Sequence, residues 1–423
     1  MAISTKLFTE RQLDNFKSLS TQIEANQQKI ATGDALKDAS EDPVKAVKIS
    51  ALAELLGEVE RYDGNIVVAR ERLTLSDTVI GNLQNVMIRL KELSIQAAND
   101  TLFQSDRDAI RHEVKSIRDL VLGLSNTLDS TNQPLFSGTS NEKQPFRLQK
   151  SGEVEYLGNN DRQSIQVSRT SRVPSSIPGG DLFLGADSHL GKLSVFEIMN
   201  SFVNALDTAD QFIDNFEVSK EQSVDVSLAT SAQPRQWSLK LEGIFGKKIV
   251  HFQTVNGSVE EAVEAINELK SVTAIKAKID ESGQKLVLSN DEADFSIAGL
   301  EIEGVTTATE EPKYFATFQK ENAQPVKMAP IGQSLREQIG LITAIEDKIN
   351  ISRALVGSHI AYAEETQQHL DERKIVLNQQ HSDLKNADLE KIVTELQNLL
   401  VTRDAARQAY TRINQSTLFD FLS

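Results

Sequence analysis

The chain has 423 residues, enough for two to four domains, with 25% charged and only 5% aromatic side chains. A formal net charge of −16 argues against a nucleic-acid-binding surface, and the absence of Cys excludes disulfides, thiolate chemistry and Cys-ligated metals. The opening ten residues have no apolar h-region, so no cleaved secretory signal is expected, and no run of 18 apolar residues marks a membrane span.

Residues 1–42 read as a first assembly helix and its break. From Phe16 the apolar positions Phe16, Leu19, Ile23 and Ile30, with Asn26 in the remaining slot, step 3, 4, 3, 4. That is a seam for a partner helix. Asn26 either fixes register there or is solvated, and Gly33 ends the helix. Ser40 or Asp42 can cap the next helix, with Pro43 in its first turn. Residues 43–130 read as the N-terminal half of a helical rod. A helix from about 43 to 98 would be roughly 80 Å long. Its seam runs from Tyr62 and Ile66 through Leu73, Ile80 and Leu90 to Ala97. A second helix carries Ile110, Val114, Ile117, Val121, Leu124 and Leu128, and the two form a hairpin.

At Asp129 the character changes. Residues 131–222 read as a β-rich outer domain, with a short helix from Ser194 to about Asn215. Residues 223–305 read as a small inserted α+β module, with Trp237 in its core. Residues 306–330 read as a Thr-, Glu- and Pro-rich return linker. A second rod helix spans 331–387, its stripe marked by Leu335, Ile342, Ile349, Val356, Leu370 and Leu377. The last segment, 388–423, is a second assembly helix without Gly or Pro. Its seam is Leu389, Ile392, Leu396, Leu399, Ala406, Tyr410 and Ile413, with Arg403 filling one slot, and it ends Leu418-Phe419-Asp420-Phe421-Leu422. The fold class is therefore α+β and multidomain: a long helical coiled-coil rod from the two terminal segments, with β-rich outer domains inserted between them.

Chemistry is sparse. His112-Glu113 lacks a second His at metalloprotease spacing, and His359, His369 and His381 lie too far apart to make an i, i+4 ligand pair. No Gly-rich loop is followed by a P-loop Lys-Ser/Thr pair. An enzyme is not expected, nor are catalytic, cofactor-binding or metal residues, nor a nucleic-acid or membrane partner. Terminal seams are costly to leave exposed. Either neighbouring subunits bury them in a polymer, or the chain is a coiled-coil spacer. Glycan binding by residues 140–320 has little aromatic surface to support it.

Several stretches look familiar: Ile3-Ser4-Thr5, Ser40-Glu41-Asp42-Pro43, Ser94 through Thr101, Asp106-Arg107, Leu135-Phe136-Ser137-Gly138-Thr139 and Leu418 through Leu422. Residues 1–139 and 331–423 resemble the flagellin superfamily, and within it the hook–filament junction proteins. Asp42-Pro43 and the Phe419-Asp420-Phe421 ending separate that branch from flagellin, which more often has Asp-Asp-Ala and a Leu-rich tail. Residues 254–289 resemble a module inserted in many flagellins, which short junction proteins lack. The resemblance implies an extracellular structural subunit of the bacterial flagellum, exported unfolded without a cleaved signal. Its implied partners are further copies of itself in a ring, a neighbouring hook-associated protein, flagellin, and an export chaperone holding the C-terminal helix. The assembly interface is then Phe16, Leu19, Ile23, Ile30, Leu389, Ile392, Leu396, Leu399, Ala406, Tyr410, Ile413, Leu418, Phe419, Phe421 and Leu422. The alternative is flagellin, the self-polymerising filament subunit.

Overall fold

A computed structural model of the chain describes residues 2–99, 102, 104–140, 142–150, 152–303, 314–321 and 323–422; the side chains of 2–6, 8, 104, 210 and 413–422 lie outside that description. Three helices open the chain: α1 (Ala2–Thr32), α2 (Pro43–Ala97) and α3 (Gln104–Ser125). Short elements follow: β1 (Phe146–Leu148), β2 (Val154–Tyr156), β3 (Ser164–Gln166), β4 (Arg172–Pro174), α4 (Gly179–Phe183), β5 (Ala186–Ser188), β6 (Gly191–Leu193) and α5 (Val195–Gln211). The strand-rich stretch comprises β7 (Asn215–Val218), β8 (Ser223–Leu228), β9 (Arg235–Gly243), β10 (Gly246–Thr254), α6 (Glu260–Glu268), α7 (Lys270–Thr273), β11 (Lys276–Ile279), β12 (Leu286–Ser289), β13 (Phe295–Ile302), β14 (Ala316–Lys320) and β15 (Val326–Met328). Helices α8 (Ile331–Lys385) and α9 (Leu389–Leu422) close it. Long terminal helices thus enclose a β-rich middle.

Two compact units emerge. One gathers Met1–Val67, Gln166–Arg172 and Glu364–Ser423; the other gathers Val68–Ile165 and Val173–Ala363.

The second unit has two apolar cores. In the helical core the α2 seam is fully used: Leu73, Ile80, Leu83, Met87, Leu90 and Ala97 are inaccessible to solvent, with Ile342, Ile345, Ile349 and Val356 of α8 in the same cluster. Val114 and Val121 of α3 join them, and α5 packs on α3. Helix α5 starts with a capping box in which Ser194 Oγ accepts from Glu197 N and the Glu197 carboxylate accepts from Ser194 N.

Residues 131–222 require a correction, because they are not a self-contained β-rich domain. Strands β1 to β6 are three residues each, too short to enclose a core, and α5 is the longest element there. Phe136, Phe146, Phe183 and Phe196 instead form an aromatic cluster, with centroids 5.0–6.3 Å apart between contacting pairs, that belongs to the helical core. The Leu135–Thr139 stretch supplies Phe136, and Gly138 has φ +67° with its missing Cβ facing the backbone oxygen of Asn159.

The second core belongs to the module, which is larger than residues 223–305. Its four-stranded sheet has the order β10-β9-β13-β7 and its five-stranded sheet the order β11-β12-β8-β14-β15. Strands β14 and β15 fall within 306–330, so that segment is not simply a linker. Ala316, Phe318 and Met328 are buried in the module core, and β14 pairs with β8. Residues 304–313 lie outside the described set. Helix α6 packs on both β10 and β11, the edge strands of the two sheets. Trp237 is buried in this core. The Gln333 side chain of α8 stitches the module to the helical core, accepting from Ile302 N at 2.9 Å and donating to Ile302 O at 3.0 Å.

One buried ion pair sits where α3 gives way to the strands. Arg72 and Asp129 pair with side chains 9% and 5% exposed. Burial alone would raise the Asp129 carboxyl. Backbone and side-chain donors from Gln133 and Thr131, with the Arg72 charge, outweigh that and hold it below the usual carboxylate range.

Two outcomes are expected. Gly138→Ala lowers stability by about 2–4 kcal/mol in a denaturant titration, since a Cβ meets rigid backbone and φ is positive. Arg72→Met costs about 3–5 kcal/mol at neutral pH by stranding a buried carboxylate. A depressed folded pKa means that the Asp129 contribution is present above its unfolded value and fades as pH falls through the folded one. The difference between wild type and variant therefore narrows in acid, as urea midpoints measured from neutral to strongly acidic pH would report.

Candidate assembly interface

Within the first unit, α1 and α9 run antiparallel against each other. Midway along α1, Phe16 meets Tyr410 edge to face, with centroids 6.1 Å apart. At the end next to the helix breaks the two segments are clasped by reciprocal backbone hydrogen bonds, Ala35 N to Lys385 O at 2.7 Å and Ala387 N to Gly33 O at 2.8 Å. Local chemistry builds each break. Gly33, at φ +73°, donates to Lys29 O at 2.9 Å. Asp42 caps α2 by accepting from Lys45 N at 3.0 Å, and Asp388 caps α9 by accepting from Lys391 N at 3.1 Å. Lys29 and Glu41 bridge α1 to the loop at 2.7 Å, and the Lys29 hydrogen bond lowers the Glu41 pKa.

The seam residues face inward, but few are fully buried. Ile23 is 6% exposed and Ile392 9%. Phe16, Leu19, Ile30, Leu396, Leu399, Ala406 and Tyr410 are half-buried, as is Arg403 in its slot. Asn26 is half-buried too, which fits a seam position rather than a solvated one. Leu389 departs from the expectation: at 48% exposed it sits at the helix start, outside the packed stripe. Ile413, Leu418, Phe419, Phe421 and Leu422 have side chains outside the described set. Further apolar residues lie exposed on other faces of the pair: Leu7, Leu13, Val393 and Val401, at 39–68%.

A polar clamp in the same unit also went unread. The tip of the β3–β4 hairpin reaches α2. Arg169 meets Glu58 with two bonds of 2.9 and 3.2 Å, and Asn65 Nδ2 donates to Gln166 O at 2.7 Å. A hydrogen bond from Arg169 lowers the Glu58 pKa. A single Arg in a turn, and a backbone acceptor, leave no recognisable pattern in sequence.

Among the described residues no group of three or more His, Cys, Asp or Glu could hold a metal ion, and no helix is long and apolar enough to cross a membrane. His359 is half-buried. Burial, and then the nearby Arg162 charge, lower its pKa.

These features define a class of chain: long terminal helices that pair through narrow seams around a strand-rich middle. Residues 3–141 match the family described as the bacterial flagellin N-terminal helical region. Within that class the chain is similar to flagellar hook-associated protein 3. It is 21% identical to that of Salmonella typhimurium over 298 residues, covering 69% of this chain and 87% of the relative. It is also 21% identical to that of Escherichia coli over 216 residues, covering 49% and 67% respectively. A crystal structure of Xanthomonas campestris FlgL aligns at 17% identity with a TM-score of 0.43, covering 78% of this chain and 99% of that one.

Ile23→Ala removes one of the two best-buried seam side chains, so the α1–α9 pair should lose about 2 kcal/mol or more. Hydrogen exchange should then accelerate in α1 and α9 while the amides of β8, β9 and β13 stay protected.

Proposed function

We propose that this chain is a structural subunit of the bacterial flagellum that joins hook to filament as an adaptor. The observation that carries this reading is the α1–α9 pair. Its seam is shared by the two ends of the chain and only half covered, and apolar residues such as Val393 and Val401 lie on faces the pair does not use. Two helices can enclose one narrow stripe; the remaining apolar area suits neighbouring helices of further subunits. The match of residues 3–141 to the flagellin N-terminal helical region, and the similarity to hook-associated protein 3, support the same reading.

In this proposal the seam residues Phe16, Leu19, Ile23 and Ile30 on α1, and Leu389 through Tyr410 with the tail from Ile413 to Leu422 on α9, form the assembly interface. Copies of the chain form a ring between a neighbouring hook-associated protein and flagellin. An export chaperone holds α9 before assembly, and the protein works outside the cell. Its role is mechanical, with no catalytic group.

Seeded assembly tests this. Purified chain added to hook ends should cap them without elongating and should then recruit flagellin. Long homopolymers would instead make it a filament subunit. Removing Asp388–Ser423 should abolish incorporation and chaperone binding. The emission of Trp237, buried in the module, should stay unchanged.

A further inference from the structure

The tip of the β9–β10 hairpin is apolar and uncovered. Strand register pairs Gly243 with Gly246, so Ile244 and Phe245 form a two-residue turn. They are 49% and 66% exposed, and Ile249 below them, opposite Lys240, is 57% exposed. Neither turn residue has positive φ, so turn geometry accepts most side chains and does not ask for these two. Next to the turn, strand register places Lys247 opposite Glu242 and Lys248 opposite Leu241, in a chain of net charge −16; Lys240, further back, shares a pocket with Asp214 and Glu301. Lys247 pairs with Glu242 at 2.8 Å, but both are about half exposed, where such a pair is weak. Lys248 has no ion-pair partner among the described residues.

We propose that this hairpin tip is an attachment site for an anionic phospholipid surface. Size argues against a protein partner. Two half-exposed side chains offer on the order of 200–300 Å², against roughly 800 Å² per partner in a stable protein interface. The pocket beside the hairpin is lined by Lys240, Glu242, Lys247 and Ile249, not by the two turn residues. A bilayer needs neither large area nor shape complementarity. At about 3.3 Å per residue, Lys247 and Lys248 lie roughly 7–10 Å behind Phe245. An interfacial apolar group buries about 5–10 Å, which sets the ammonium groups at the headgroups. The lack of a spanning helix among the described residues bears on crossing a membrane, not on resting against one. The inference does not depend on the flagellar role.

The test uses the full chain and vesicles of phosphatidylglycerol and phosphatidylcholine, with pure phosphatidylcholine as control. The chain should float with the anionic vesicles only, and less as salt is raised. Phe245→Ser should weaken partitioning at least ten-fold and Lys247→Gln with Lys248→Gln about 25-fold, about five-fold per lysine. Phe245→Trp should shift its emission to the blue on anionic vesicles, since the only other Trp, Trp237, is buried throughout. Unchanged Trp237 emission in Phe245→Ser certifies its fold. Three results would overturn the proposal: no flotation with anionic vesicles, equal partitioning of wild type and variants, or self-association without lipid that Phe245→Ser removes. The last would assign the tip to a second copy of the chain.

Discussion

A helix whose apolar residues recur every three and four positions buries almost nothing by itself, and this constraint governs the whole chain. Helices α2 and α8 are 55 residues each. Isolated, each would hold a solvent-exposed stripe over its full length. In the second unit the constraint is met by a thick core, where Leu73, Ile80, Leu83 and Met87 lose all access to solvent beneath α3, α5 and α8. In the first unit α1 and α9 meet it only in part. One helix against one helix covers a line, not a face, so Ile23 and Ile392 are buried while Phe16, Leu396 and Tyr410 stay half open.

The two packings differ in completeness. The thick core is complete, with seam, hairpin and aromatic cluster closing on one another. The thin pair has the correct period and too few partners. The same arithmetic separates the module: its two sheets and α6 enclose Trp237, Val226 and Phe318 without help from the helices. Gln333 and the Arg336–Glu301 pair then fasten it to the start of α8.

What could be read in advance follows from which interactions have a period. The seams of α1, α2, α8 and α9 were legible because burial repeats every three or four residues and mistakes average out. Strands β8 to β13 were legible through alternation and their turn residues. Strands β14 and β15 were not: five and three residues embedded among Thr, Glu, Pro and Lys carry too little pattern, although Phe318 and Met328 are core residues. The fate of Phe136, Phe146 and Phe196 was equally hidden, because composition shows that aromatics are buried but not in whose core. Along the α1–α9 pair the heptad count locates the buried Ile23 and Ile392, whereas Leu389, at the helix start, stays exposed because a heptad count cannot see where packing begins. Arg169 on Glu58 and the clasp between residues 33–35 and 385–387 depend on backbone carbonyls and single contacts, which leave no sequence period.

The antiparallel course of α1 and α9 brings the two chain ends to the same end of the pair, with the backbone clasp at the other. A force that separates the ends therefore peels the seam open one contact at a time, passing Phe16 and Tyr410 on the way, and reaches the clasp last. Peeling resists far less than sliding two helices past each other, because only one layer of side chains bears the load at any moment. Pulling on either end therefore parts α1 from α9 at low force, and the two hydrogen bonds at Gly33 and Lys385 mark the point where that easy unzipping stops.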